Sequence, residues 1–111
     1  MKAGENMWKA VADKFWNINL IFPTKQKDVS DLIKMCRQDK NVKRAIVFGS
    51  TVTSRCNVWS DIDIYFEFHK EPWKYPILGK ATQAIDKFFN FSVSDEFRNE
   101  ILSKGVVVYE Q

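Results

Sequence analysis

Histidine and cysteine are scarce in this chain. His69 is the one histidine, and Cys36 and Cys56 are the two cysteines, with no metal-ligand spacing and no histidine close in sequence. A zinc module is excluded on those grounds, and two isolated thiols fit reduced cysteines rather than a disulfide framework. No apolar run is long enough to cross a membrane. Residues 1–22 lack a basic stretch followed by a clean apolar core, so no signal peptide is expected and a cytoplasmic location is. An excess of one charge sign is also missing. With 17 basic against 14 acidic residues the net charge is +3, too little for a nucleic-acid footprint, though it suits a triphosphate ligand. There is no internal repeat, low-complexity tract or linker.

What the chain has is apolar and aromatic mass. Its 111 residues are 45% hydrophobic and 14% aromatic, with nine Phe and four Trp. This length fits one globular domain with a real core. These aromatics are many for the length and fit either the core or an interface, with another protein or with a second copy of the chain. Residues 5–17 have helical spacing, with Met7, Trp8, Val11 and Phe15 on a stripe, and Pro23 breaks the segment that follows. A helix is expected over 28–40, capped by Asp28 or Ser30, and a short buried strand over 45–48. Residues 61–68 alternate, with Asp61, Asp63, Tyr65 and Glu67 on one face and Ile62, Ile64, Phe66 and Phe68 on the other, which predicts a half-buried strand. A loop around Trp73 leads to an expected helix over 77–87 and a strand over 88–93. Ser94 then caps a helix that Gly105 ends, and 106–109 are extended. The order predicts an α/β or α+β domain on a small mixed sheet, with residues 1–27 as an N-terminal extension and 28–111 as the domain.

Two motifs carry chemistry. Gly49-Ser50 follows the buried strand 45–48. Glycine lets the chain turn and lets a phosphate approach, Ser50 offers a hydroxyl and an amide, and a helical turn starting there would favour an anion. Ten residues later, Asp61 and Asp63 share one strand face. Residues two apart on a strand lie about 6.5–7 Å apart, so their carboxylates can converge on a hard cation that relieves their repulsion. Each motif alone has a plain structural explanation, as a turn or as a solvated strand face. Jointly, Phe48-Gly49-Ser50, ten residues, and Ser60-Asp61-Ile62-Asp63-Ile64 between apolar strands resembles the signature of the minimal nucleotidyltransferases of the polymerase-beta superfamily. The resemblance covers residues 28–109, including the ending Gly105-Val106-Val107-Val108-Tyr109.

That resemblance implies a nucleotidyltransferase fold in which Gly49 and Ser50 hold the phosphates of a nucleoside triphosphate, ATP foremost. Asp61 and Asp63 hold Mg2+, and a third acid on a later strand completes the site and draws the acceptor's proton. Counted back from Gly105, this third position falls on Asn90, which carries no charge and cannot act as a base. Two other acids stay open. Asp86 is in register with Asn90 but falls at the end of the expected helix, and Glu67 shares the aspartate face farther along the strand. Where relatives place arginines after Gly-Ser, this chain has Thr51-Val52-Thr53-Ser54-Arg55. Arg55 is either a phosphate contact or a solvent-facing loop charge. Trp59, Trp73 and Tyr75 are either rim residues of the same cleft or packing.

Stand-alone domains of this size resemble antitoxins that modify a tyrosine of a helical HEPN-type toxin, which implies a protein acceptor. The alternative is a catalytically impaired binding subunit, motivated by Asn90 and by the aromatic excess. A nucleic-acid binder rests only on the modest positive charge.

Overall fold

The computed structural model describes residues 15–53, 56, 60–72 and 85–111. The order is a 3-10 turn at Ile18–Leu20, helix α1 (Pro23–Arg37), strand β1 (Val42–Phe48), a 3-10 turn at Gly49–Val52, strands β2 (Ile62–Phe68) and β3 (Ile85–Phe89), helix α2 (Asp95–Lys104) and strand β4 (Val106–Glu110). The strands form one mixed sheet in the order β3-β2-β1-β4, with β1 antiparallel to β2 and β4, and β2 parallel to β3. This is the expected α+β architecture of a nucleotidyltransferase fold.

Helix α1 starts at Pro23, five residues earlier than the expected Asp28. Proline at the first helical position needs no N–H partner and has its φ preset, so here it opens a helix rather than breaking one. Gln26, fully buried, donates through Nε2 to the Ile18 and Ile21 carbonyls at 3.1 and 2.9 Å, tying the preceding 3-10 turn to the helix. The helix ends at Arg37 rather than 40, and Asp39 Oδ1 accepts from the Asn41 amide in the turn that follows. Of the helix expected over 5–17, residues 5–14 lie outside the described residues. Residues 15–17 are not helical, since Asn17 sits at φ 63°. Phe15, Ile18 and Ile21 are buried in the main core, so the chain before residue 28 packs on the sheet.

That core lies between α1 and one sheet face: Val29, Leu32, Ile33 and Cys36 pack on Val47, Ile62, Ile64 and Phe66. The opposite face is covered by α2, whose Ile101 joins Ile46 and Tyr65 in a second cluster. Strand β2 is therefore buried on both faces, not half-buried: Tyr65 is 0% and Glu67 4% exposed. Arg98 donates from Nε to the Tyr65 hydroxyl at 3.1 Å. Arg44 pairs with Glu67 at 2.8 Å, with Lys43 and Arg98 at 3.5 and 3.7 Å. Alternation promised one polar face, and ion pairing together with the helix allowed that face to be covered.

Strand β3 is the largest displacement. It runs Ile85–Phe89, not 88–93, so Ile85, Asp86 and Lys87 are extended where a helix was expected. Residues 77–84 of that helix lie outside the described residues. Ser94 caps α2 as read, accepting from the Phe97 amide at 3.1 Å, with Asp95 and Glu96 in the first turn. Gly105 does end the helix, but at φ −79°, so its glycine is not needed for a left-handed turn. A Cβ there would press into the Ile46 side chain and the Ile101 carbonyl, and close packing explains the residue.

Candidate active site

Strand register assembles the site. Phe48, the last residue of β1, pairs with Asp63, and Asp63 pairs with Asp86 on β3. Gly49 therefore enters its turn beside the Asp63 carboxylate. It has φ +76°, and a Cβ on it would stand 2.5 Å from Asp63 Oδ2. Any other residue would meet both a disfavoured backbone region and a carboxylate. The turn itself is a 3-10 segment of four residues, Gly49–Val52, closed by the Thr53 amide and hydroxyl on the Ser50 carbonyl at 2.9 and 3.0 Å. A helix macrodipole is not available from so short an element, and local amides and the Ser50 hydroxyl are what the turn can offer an anion.

Asp63 and Asp86 stand within hydrogen-bonding reach of each other, on the sheet face that carries α2. Burial, then the neighbouring Asp86 carboxylate, then Asp61 push the Asp63 carboxyl up to about 6. Asp61 precedes β2 and is exposed, as is Asp86. Among the described residues no three His, Cys, Asp or Glu side chains form a ready-made metal cage. Two adjoining carboxylates with a third nearby, mutually repelling, still suit magnesium. That ion is commonly held by one or two carboxylates with substrate phosphates completing its shell. The donor set thus fits a magnesium–triphosphate unit better than a bare ion.

Asn90 is not in this group. It follows β3 at the far end from Asp86, and its side chain clasps the backbone of Phe68: the Phe68 amide donates to Oδ1 at 3.1 Å and Nδ2 donates to the Phe68 carbonyl at 3.2 Å. The reading of Asn90 as the third-acid position is therefore corrected, and the acid beside Asp63 is Asp86. Glu67 is also removed from consideration, since three cations occupy it and hold its carboxyl below the usual range against the opposing effect of burial. His69 lies at the same far end, 2.7 Å from Gln111 Oε1. Arg55, Trp59, Trp73 and Tyr75 lie outside the described residues.

A cavity of about 480 Å³ opens beside the Gly-Ser turn, between it and α2. Phe48, Val52, Phe97 and Ile101 give it an apolar wall, and Ser50 and Lys104 stand at its polar side. Sequence reading did not find it, because it depends on where α2 lies across the sheet. Phe48 and Phe97 of that wall also pack with Phe88 in an aromatic trio, with ring centroids 5.3–5.8 Å apart.

The family described as Polymerase beta, Nucleotidyltransferase matches residues 30–111. This chain belongs to that family. The match takes in the Gly-Ser turn, Asp61, Asp63 and Asp86, and it begins inside α1. No curated protein and no solved structure matches the chain.

No helix among the described residues is long and apolar enough to cross a membrane.

Proposed function

We propose that this nucleotidyltransferase-family chain moves a nucleoside monophosphate from a magnesium-bound nucleoside triphosphate, ATP foremost, to a hydroxyl group. The observation that supports this most is the pairing of Asp63 with Asp86 beside Gly49, which supplies the third carboxylate that Asn90 would not. In this reading Gly49 and Ser50 receive the phosphates. Asp61, Asp63 and Asp86 hold the metal, which when bound offsets the charge of the phosphates at the reacting phosphorus. Asp86, exposed at the end of its strand, takes the proton of the attacking hydroxyl. The bond formed joins that oxygen to the α-phosphorus, the α–β bridging bond breaks, and pyrophosphate leaves.

The acceptor in this reading is a protein. The resemblance to the minimal nucleotidyltransferases favours an antitoxin role, with a tyrosine of a helical HEPN-type partner as acceptor. The binding-subunit alternative draws on Asn90 and on the aromatic excess, and the clasp on Phe68 accounts for the first of these without reference to catalysis.

Incubation with α-32P-labelled ATP and magnesium, alone and with a helical HEPN-type protein, tests the proposal. The expected result is label on protein with the wild type and none with Asp63→Asn. Equal labelling by the two would contradict the site, and no labelling with any nucleoside triphosphate would contradict the activity.

A further inference from the structure

Asp61 lies outside both strand ladders that hold Asp63. Its β1 partner strand ends at Phe48, opposite Asp63, and the β3 ladder starts at Ile62. Something else must fix its backbone. Two buried polar side chains reach consecutive carbonyls there. Lys25, in the first turns of α1 and 3% exposed, donates from Nζ to the Ser60 carbonyl. Thr51, in the Gly-Ser turn and 0% exposed, donates from its hydroxyl to the Asp61 carbonyl at 3.4 Å. The Thr51 carbonyl in turn accepts from the Phe22 amide at 3.0 Å, at the start of α1. The beginning of α1, the Gly-Ser turn and the residues leading into β2 are thus joined by three hydrogen bonds.

We propose that Lys25 and Thr51 are positioning residues: together they form a brace that fixes the Ser60–Asp61 backbone and through it sets the affinity of the carboxylate site for magnesium. The identity of the ligand rests on the nucleotidyltransferase reading above; the brace itself does not. A buried ammonium is costly to keep where an apolar side chain of similar length would fill the same space, and the hydrogen bond to Ser60 offsets part of that cost while fixing the Ser60 carbonyl in place. Lys25 precedes residue 30, where the family match starts, and Thr51 lies within it, so the brace ties the segment before the match to the Gly-Ser turn. Groups that orient metal ligands without touching the metal commonly change its affinity by roughly 10–100-fold.

The test uses Lys25→Met, which keeps the stem and removes the donor, and Thr51→Val, which keeps the shape and removes the hydroxyl. Two readouts are taken: amide hydrogen exchange without ligand, and the magnesium concentration giving half-saturation at fixed ATP. Exchange at Asp61 and Ile62 should quicken in both variants while the centre of β2 stays protected. Half-saturation should need roughly tenfold more magnesium and be reached when magnesium is raised. A folded variant with unchanged exchange and an unchanged magnesium midpoint would overturn the brace. Tighter magnesium binding in Lys25→Met would also overturn it, assigning Lys25 as a repelling charge instead. If Lys25→Met does not fold, Thr51→Val decides by the same two criteria. A wild type that binds no magnesium–ATP would sink the nucleotidyltransferase reading, and the exchange data would still decide the brace.

Discussion

Asp63 is held in conflict. Burial, Asp86 and Asp61 all favour its protonated form and push it up to about 6. A carboxyl raised in the folded state binds its proton more tightly than in the unfolded chain. Its contribution therefore favours folding at low pH and is lost as pH rises from about 4 to about 6. At neutral pH, without metal, the ionised group is a liability. Asp63→Asn should accordingly raise the melting temperature of the metal-free protein at pH 7.5, flatten its dependence on pH between 4 and 6, and abolish the gain that magnesium with ATP gives the wild type. Thermal melts across pH, with and without magnesium–ATP, check all three. At this scale the local motif was legible: the Gly-Ser turn and the two aspartates are fixed by short spacing. Asn90 was misjudged because counting back from Gly105 assumes a strand that runs up to the following helix, whereas Phe88 and Phe89 end β3 and Asn90 turns the chain by clasping Phe68.

Among the elements, β2 joins two opposite electrostatic designs on one face. At its start Asp63 meets another acid; at its end Glu67 meets Arg44, Lys43 and Arg98. Burial opposes ionisation of Glu67, but the cations win and its carboxyl lies below the ordinary range. A depressed carboxyl stabilises the fold above its unfolded value and loses that contribution as pH falls through its folded one, the reverse of Asp63. Glu67→Gln leaves Arg44 with only the more distant Glu110 carboxylate at 3.9 Å as counter-charge, and should cost about 1.5 kcal/mol, the lower end for a hydrogen bond to a charged group. Urea unfolding at pH 7 reads this, and the gap to the wild type should narrow in acid. The alternation along β2 made it a strand on sight, and Ser94 marked the start of α2. The start of α1 was less legible, because Pro23 reads equally as a breaker or as a first helical residue and only the packing of Ile18 and Ile21 beneath Gln26 decides between them.

For the whole molecule, function follows from which strand lies beside which. Asp61 and Asp63 were plain in the sequence, yet the partner of Asp63 depended on β3 lying parallel to β2 in the register Asp63↔Asp86. A parallel pairing is joined by a long crossover, and no local pattern encodes its register. The same holds for the cavity beside Ser50, built where α2 returns across the sheet to Phe48. The account therefore stands or falls on Asp86. The most direct measurement is calorimetric titration of ATP in the presence of magnesium into wild type, Asp86→Asn and Asn90→Asp. A site that shares Asp86 predicts that Asp86→Asn, which takes one charge from the ligand set, weakens magnesium-dependent ATP binding by about tenfold or more, roughly 1.4 kcal/mol. Asn90→Asp should bind as the wild type does, with a lower melting temperature from the lost clasp on Phe68. Undiminished binding by Asp86→Asn, or tighter magnesium-dependent binding by Asn90→Asp, would contradict it.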